Sequence, residues 1–192
     1  MDKLNIVIAG VGGQGTLLAS RWLGCIAENL GLDVKISEVH GMSQRGGSVV
    51  TYVRMAPKVF SALIEQKGAD YILAFEQLEA LRVLPYVREG GTIFVNTQKI
   101  LPMPVIIGSA EYPENIPQTL RKRAQVVEID ALKMARKAGN ERTVNTVLIG
   151  ALAAYLPYSK QIWQIALEAA IPEQLLEVNR IAFEMSYDKQ RG

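Results

Sequence analysis

Apolar residues recur along this chain in three rhythms, and each predicts a different element. Short runs at 4–9, 71–75, 92–96 and 126–129 have the length and apolar content of strands, and the first is apolar on both faces, as in a central parallel strand covered by helices. Helical spacing follows the first run: Leu17, Leu18, Trp22, Leu23, Ile26, Ala27 and Leu30 lie opposite Ser20, Arg21, Glu28 and Asn29, and Gly31 supplies the stop. The same spacing predicts a helix over 160–170 with Ile162, Ile165, Ala166 and Ala169 inward. Another begins at Pro172 with Leu175, Val178, Ala182 and Met185 inward. The third rhythm is continuous: residues 145–156 are apolar on all sides and predict a helix buried in the core.

The remaining segments are less regular. Strands at 34–39 and 49–54 stand too close for a helical crossover and form either a hairpin-like pair or a bent continuation, so the fold is not a plain alternation of strand and helix. Residues 57–68 read as loop with room for one helical turn. Residues 76–88 read as a helix that Pro85 kinks or shortens and that Glu89, Gly90 and Gly91 end. Pro102, Pro104, Pro113 and Pro117 punctuate an irregular stretch with a candidate strand at 105–107. A helix over 118–124 and another capped by Asp130 and running to Ala138 complete the pattern.

Two glycine-rich turns carry the candidate chemistry. Gly10-Val11-Gly12-Gly13-Gln14-Gly15 follows a strand and opens a helix at Thr16, where glycine backbone, free N–H groups and the helix dipole suit an anion. Tight packing of strand on helix is the alternative use of the same pattern. A dinucleotide reading wants an acidic residue at the end of the second strand, and Glu38 stands nearly there. The continuation VHGMSQRGG does not belong to an ordinary dinucleotide domain. It brings His40, Gln44, Arg45, Gly46 and Gly47 onto one tight loop. A guanidinium on flexible backbone suits a phosphate, a carboxylate or a partner subunit, and a salt bridge to Glu38 is the structural alternative for Arg45. His40 has a side chain suited to acid–base chemistry, but with no nucleophile or paired carboxylate beside it a hydrogen-bonded loop role fits better. Glu76, Asn96 and Thr97 follow strands and Asn145 precedes the apolar helix, so each reads first as a helix cap and second as a ligand group.

Composition narrows the choices. A chain of 192 residues, 49% of them hydrophobic, suits one domain spanning 1–192. The 21 basic and 19 acidic residues nearly cancel, which removes the electrostatic case for nucleic acid, and the Arg121-Lys122-Arg123 triplet reads as a solvated helix face. One cysteine, Cys25, and one histidine exclude an internal disulfide, and also a zinc site or cysteine-ligated iron–sulfur cluster built by this chain alone. Any electron carrier must sit elsewhere. Cys25 adjoins the apolar stripe of its helix and reads as a buried, inert thiol. No apolar run reaches the roughly 18 residues of a membrane span, and no basic segment precedes the first strand, so a cytoplasmic location is expected.

Four stretches together carry a family resemblance: GVGGQGTLLAS at 10–20, SEVHGMSQRGGSVVTYVR at 37–54, AFEQLEALR at 74–82 and NTVLIGALA at 145–153. They resemble the gamma subunit or gamma domain of the 2-oxoacid:ferredoxin oxidoreductases, and HGMSQRGGSV is most similar to the small beta subunit of the indolepyruvate branch. The resemblance implies an α/β fold, a Rossmann-like three-layer sandwich with a mostly parallel sheet and C-terminal helices. It implies a subunit of an enzyme that oxidatively decarboxylates a 2-oxoacid to an acyl-CoA and passes electrons to ferredoxin. Thiamine diphosphate and the iron–sulfur clusters are then expected on a large partner subunit. Coenzyme A would be approached by Arg45 and the Gly12 to Gly15 turn, with no catalytic residue to assign and no metal held by this chain. A stand-alone NAD(P)- or FAD-binding module is the alternative reading, supported by the first glycine turn and Glu38.

Overall fold

The computed structural model describes residues 3–41 and 46–192. The strands are β1 (Leu4–Val11), β2 (Asp33–His40), β3 (Ser48–Ala56), β4 (Ala69–Ala74), β5 (Val87–Asn96) and β6 (Gln125–Ile129). The helices are α1 (Thr16–Asn29), α2 (Gln77–Val83), α3 (Met103–Ile106), α4 (Ile116–Arg121), α5 (Ala131–Ala138), α6 (Val144–Tyr155), α7 (Lys160–Ala170) and α8 (Glu173–Arg191). Among the described residues the strands form one sheet in the order β2-β3-β1-β4-β5-β6. β1, β4, β5 and β6 pair in parallel, while β3 runs against both β1 and β2. The second and third strands are therefore a hairpin, with His40 opposite Val49.

Alternate residues of each central strand serve the two faces. Leu4, Ile6 and Ile8 of β1 point into a core with α1, α5, α6, α7 and α8, whereas Val7 and Ala9 point into a second core with α2 and α4. These are three layers, as the resemblance implies. The side bearing the C-terminal helices is the thicker one because α6 lies between the sheet and α8, which is why its sequence is apolar all round. Trp22 of α1 and Trp163 of α7 are both fully buried there, and the Trp22 indole N–H donates to the Trp163 carbonyl at 3.1 Å.

Several local expectations give way to long-range pairing. The helix after β4 ends at Val83 and passes into a 3-10 turn, Leu84–Tyr86, around Pro85. Glu89, Gly90 and Gly91 do not end that helix. They lie inside β5, near an irregularity in its pairing with β4 that Gly90 accommodates at φ 71°. The stretch 105–107 is not a strand, since residues 103–106 form the short helix α3, and residues 57–68 contain no helical turn. In the last two helices the buried positions include Trp163, Leu167 and Phe183, while Ile165 and Leu175 face solvent. Both helices pack on helices, not on a flat sheet, and the buried stripe is displaced accordingly.

Candidate functional site

α1 covers one face of the sheet and α2 the other, so the chain changes face between β1 and the adjacent β4. A crevice at the carboxyl ends of strands is expected at such a point. The first glycine turn stands at that crevice. Gly10 pairs with Val49 one residue before β1 ends at Val11, Gly12 N–H donates to the Gly47 carbonyl at 2.9 Å, and Gly13 and Gly15 take positive φ of 100° and 85°. That bond joins the turn to the base of the β2–β3 loop, so the two glycine-rich motifs are neighbours in space.

Gln14 holds the turn from inside. Its side-chain oxygen accepts from Val11 N–H at 2.7 Å and its amide nitrogen donates to the Phe75 carbonyl at 3.1 Å, which ties the end of β1 to the end of β4. Gly15 is the residue before α1 and carries no capping side chain, and the first turn of α1 has no acidic residue. The helix thus presents N–H groups without intrahelical partners and the positive end of its dipole.

Two clefts flank the turn. One, of about 410 Å³, is lined by Gly12, Gly13, Gly15, Thr16 and Leu17 on one side and by Glu38, His40 and Val49 on the other. The second, of about 420 Å³, lies between Gly13, Gln14 and Gly15 and a wall that includes Gln98, Ile100, Arg142 and Asn145. Glu38 is exposed, with Thr51 Oγ1 donating to it at 3.3 Å, and His40 is exposed at the end of β2 with Nδ1 3.2 Å from the Gly41 carbonyl. Gly46 follows at φ 76°. Gln44 and Arg45 lie outside the described residues, and with them the alternative reading of Arg45 as a salt-bridge partner of Glu38.

The supporting groups around this edge are mostly ones that local sequence does not reveal. Asn145 is not the cap of α6, a position that falls to Thr143. It sits buried in the first helical turn directly beneath Gly15. Glu76 does cap α2, accepting from Glu79 N–H at 3.0 Å, and its other oxygen accepts from Ile100 N–H at 3.1 Å and from the Tyr112 hydroxyl at 2.5 Å. Burial, and then the neighbouring Glu76 carboxylate, push the Tyr112 phenol well above its ordinary range. Asn96 is fully buried and joins strand ends to α5, donating to the Phe75 carbonyl at 3.1 Å and accepting from Ala131 N–H at 3.2 Å.

Glu79, one turn after Glu76, is buried against the base of the second motif, where Ser48 donates its hydroxyl to the carboxylate and Arg82 lies 3.2 Å away. Burial pushes its carboxyl up, opposed by the Ser48 and Arg82 contacts and assisted by the nearby Glu76 charge. Of the basic triplet, Arg121 pairs with Glu128, while Lys122 and Arg123 are exposed at the opposite, amino end of the sheet. Cys25 is half-buried, and burial raises its pKa, with the Glu28 charge adding to the rise.

This architecture defines an α/β protein whose two glycine-rich motifs meet at a change of sheet face. The chain belongs to the pyruvate ferredoxin/flavodoxin oxidoreductase family, whose model matches residues 5–189. It is 42% identical to the indolepyruvate oxidoreductase subunit IorB of Thermococcus kodakarensis, over 96% of this chain and 95% of that one. The gamma subunit of a keto/oxoacid ferredoxin oxidoreductase from Geobacter sulfurreducens has the same fold, with a TM-score of 0.73 and 25% identity over 97% of this chain and 98% of that one. In the 2-oxoglutarate:ferredoxin oxidoreductase from Magnetococcus marinus, solved with 2-oxoglutarate, coenzyme A and succinyl-CoA bound, the fold recurs with a TM-score of 0.76 and 19% identity. There it matches all of this chain but only 31% of the longer one. The chain is a small subunit of the 2-oxoacid:ferredoxin oxidoreductases, and the comparisons fit that reading and not a stand-alone nicotinamide or flavin module.

Proposed function

We propose that this subunit closes the active site of a large thiamine-diphosphate-binding subunit, using the carboxyl edge of its sheet. The reaction is the oxidative decarboxylation of a 2-oxoacid, with an arylpyruvate such as indolepyruvate as the substrate class. The bond between the carboxylate and the 2-oxo carbon breaks to release carbon dioxide, and the acyl carbon is oxidised by losing two electrons, which ferredoxin accepts. The coenzyme A sulfur then forms the thioester as its proton is lost. One observation carries the reading: the Gly12 N–H to Gly47 carbonyl bond makes a single edge of the two motifs that mark the family.

Thiamine diphosphate and the iron–sulfur clusters belong to the partner in this reading. The chain has one cysteine, and among the described residues no three His, Cys, Asp or Glu side chains gather as metal ligands. Its own contribution is positioning. Gly13, Gly15 and Thr16 offer backbone donors at the helix start, where a phosphate of coenzyme A gains about 0.3–1 kcal/mol from the dipole, while Gly12 spends its N–H on the Gly47 carbonyl and fixes the two loops together. Arg45 gives the guanidinium. Gln14 and Gly10 keep the turn in shape, and Glu38 and His40 line the far wall. The 192 residues work as one domain in the cytoplasm. Among the described residues no helix is long and apolar enough to cross a membrane.

Co-expression with the large subunit tests this. The expected outcome is a stable complex with dye reduction that requires a 2-oxoacid and coenzyme A, while this subunit alone is silent. Turnover by the isolated chain overturns the reading. Stabilisation of the isolated chain by micromolar NAD, with no response to coenzyme A or to the partner, returns it to the dinucleotide alternative.

A further inference from the structure

The segment between β5 and α4 is apolar where a surface connection is ordinarily polar. From Ile100 to Ala110 the chain reads ILPMPVIIGSA, without a charged side chain. Leu101, Met103, Ile106 and Ile107 are 49%, 65%, 61% and 69% exposed. Burying side chains of this size is stabilising, and the isolated subunit largely forgoes that gain at these positions. An exposed apolar cluster of this kind marks an interaction surface.

The segment is not a slack loop. Inside it, Val105 N–H donates to the Pro102 carbonyl at 2.9 Å, Ile107 N–H to Met103 at 3.0 Å and Ser109 N–H to Pro104 at 2.8 Å. Both of its ends are tied to one buried carboxylate oxygen, since Glu76 Oε1 accepts from Ile100 N–H at 3.1 Å and from the Tyr112 hydroxyl at 2.5 Å. Glu76 also caps α2 through its other oxygen, so the lobe is fastened to the end of β4 beside the glycine turn. A lobe ordered in advance loses little entropy on docking.

Its position selects the occupant. Ile100 lines the same cleft as Gly13, Gln14 and Gly15, so a surface that covers the glycine turn continues onto the lobe. In the Magnetococcus marinus protein this fold is 31% of a longer chain and is attached to the remainder covalently. In the Thermococcus kodakarensis subunit the matched region is 95% of the length, so a subunit of that kind must be held to the rest of its enzyme by contact alone. We propose that residues 100–107 are a preformed apolar docking lobe that seats this subunit on an apolar patch of the large subunit. The inference rests on the function proposed above.

The test co-expresses a tagged large subunit with wild-type chain, with the double variant Met103→Glu and Ile107→Glu, and with Phe60→Glu as a control. Phe60 is 86% exposed in the loop between β3 and β4, at the opposite end of the sheet. The double variant is expected to lower recovery of the complex by at least about tenfold, a loss in the range that central interface residues produce. Its circular dichroism and melting temperature are expected to match wild type, and the control is expected to assemble normally. Undiminished assembly of the double variant, with normal turnover, overturns the lobe while leaving the proposed function intact. A lobe that instead pairs two copies of this chain, with sedimentation showing a wild-type dimer that the variant dissociates and an unaffected complex, also overturns it. Failure of the wild-type chain to join the large subunit overturns both readings.

Discussion

Gly15 and Asn145 occupy one space: a carbon added at the Cβ position of Gly15 would lie 2.8 Å from the Asn145 side-chain nitrogen. The turn that opens the first helix therefore rests on the first turn of the buried helix α6. This contact spans most of the chain, and it couples the candidate site to the core.

Gly15→Ala is expected to destabilise the fold by about 1–3 kcal/mol, combining the cost of a left-handed conformation for a residue with a Cβ and displacement of Asn145. Urea denaturation of the single and double variants separates the two. In an Asn145→Ser background the steric part should vanish and only the backbone part, about 1–2 kcal/mol, should remain. An unchanged cost in both backgrounds would show that Asn145 does not press on the turn.

Gln14→Ala should cost about 1–2 kcal/mol. The Phe75 carbonyl keeps its bond from Asn96, so the loss falls mainly on Val11 N–H, left without the side-chain oxygen at 2.7 Å. On the function proposed above, the same variant in the assembled enzyme should raise KM for coenzyme A more than it lowers kcat, because the turn loses shape and no reacting group is removed. Steady-state kinetics with coenzyme A as the varied substrate checks this.

Glu79 gives a pH dependence whose sign follows from its raised pKa. The folded state holds the Glu79 proton more tightly than the unfolded chain, so between the two pKa values the folded state binds more protons and its stability falls as pH rises. The effect begins near the ordinary carboxyl range and extends to the raised value. Glu79→Gln retains an oxygen to accept the Ser48 hydroxyl while removing the buried charge. Its urea midpoint near neutral pH is expected to equal or exceed that of wild type, with the difference shrinking as pH falls toward the carboxyl range. A variant much weaker than wild type near neutrality would contradict the assignment.

Cys25 should react slowly with an aromatic disulfide reagent at mildly alkaline pH. Burial and Glu28 both raise its pKa, which lowers the thiolate fraction. Denaturant should accelerate the reaction to the rate of a free thiol. Alkylation in the unfolded state followed by refolding would add bulk beside the α1 core stripe and should lower the melting temperature.

The elements whose cause is local were legible in the sequence. The run 4–9, the glycines after it and the helical spacing from Thr16 to Leu30 lie within a few turns of one another, and β1 and α1 follow from them. The unbroken apolar character of 145–156 likewise announced a helix surrounded on all sides, and the short link between 39 and 49 admitted the hairpin. What only the tertiary structure decided depends on partners far along the chain. Strand pairing drew Glu89, Gly90 and Gly91 into β5, because Val87 before them and Thr92 after them both pair with β4. Packing of α7 and α8 on other helices chose Trp163, Leu167 and Phe183 for burial over Ile165 and Leu175. The candidate site shows the same division. Its glycine motifs were plain in one dimension, but the inward turn of Gln14 toward Phe75 and the placing of Asn145 under Gly15 were not, since each needs a hydrogen bond or a close contact that exists only once the sheet and α6 have come together.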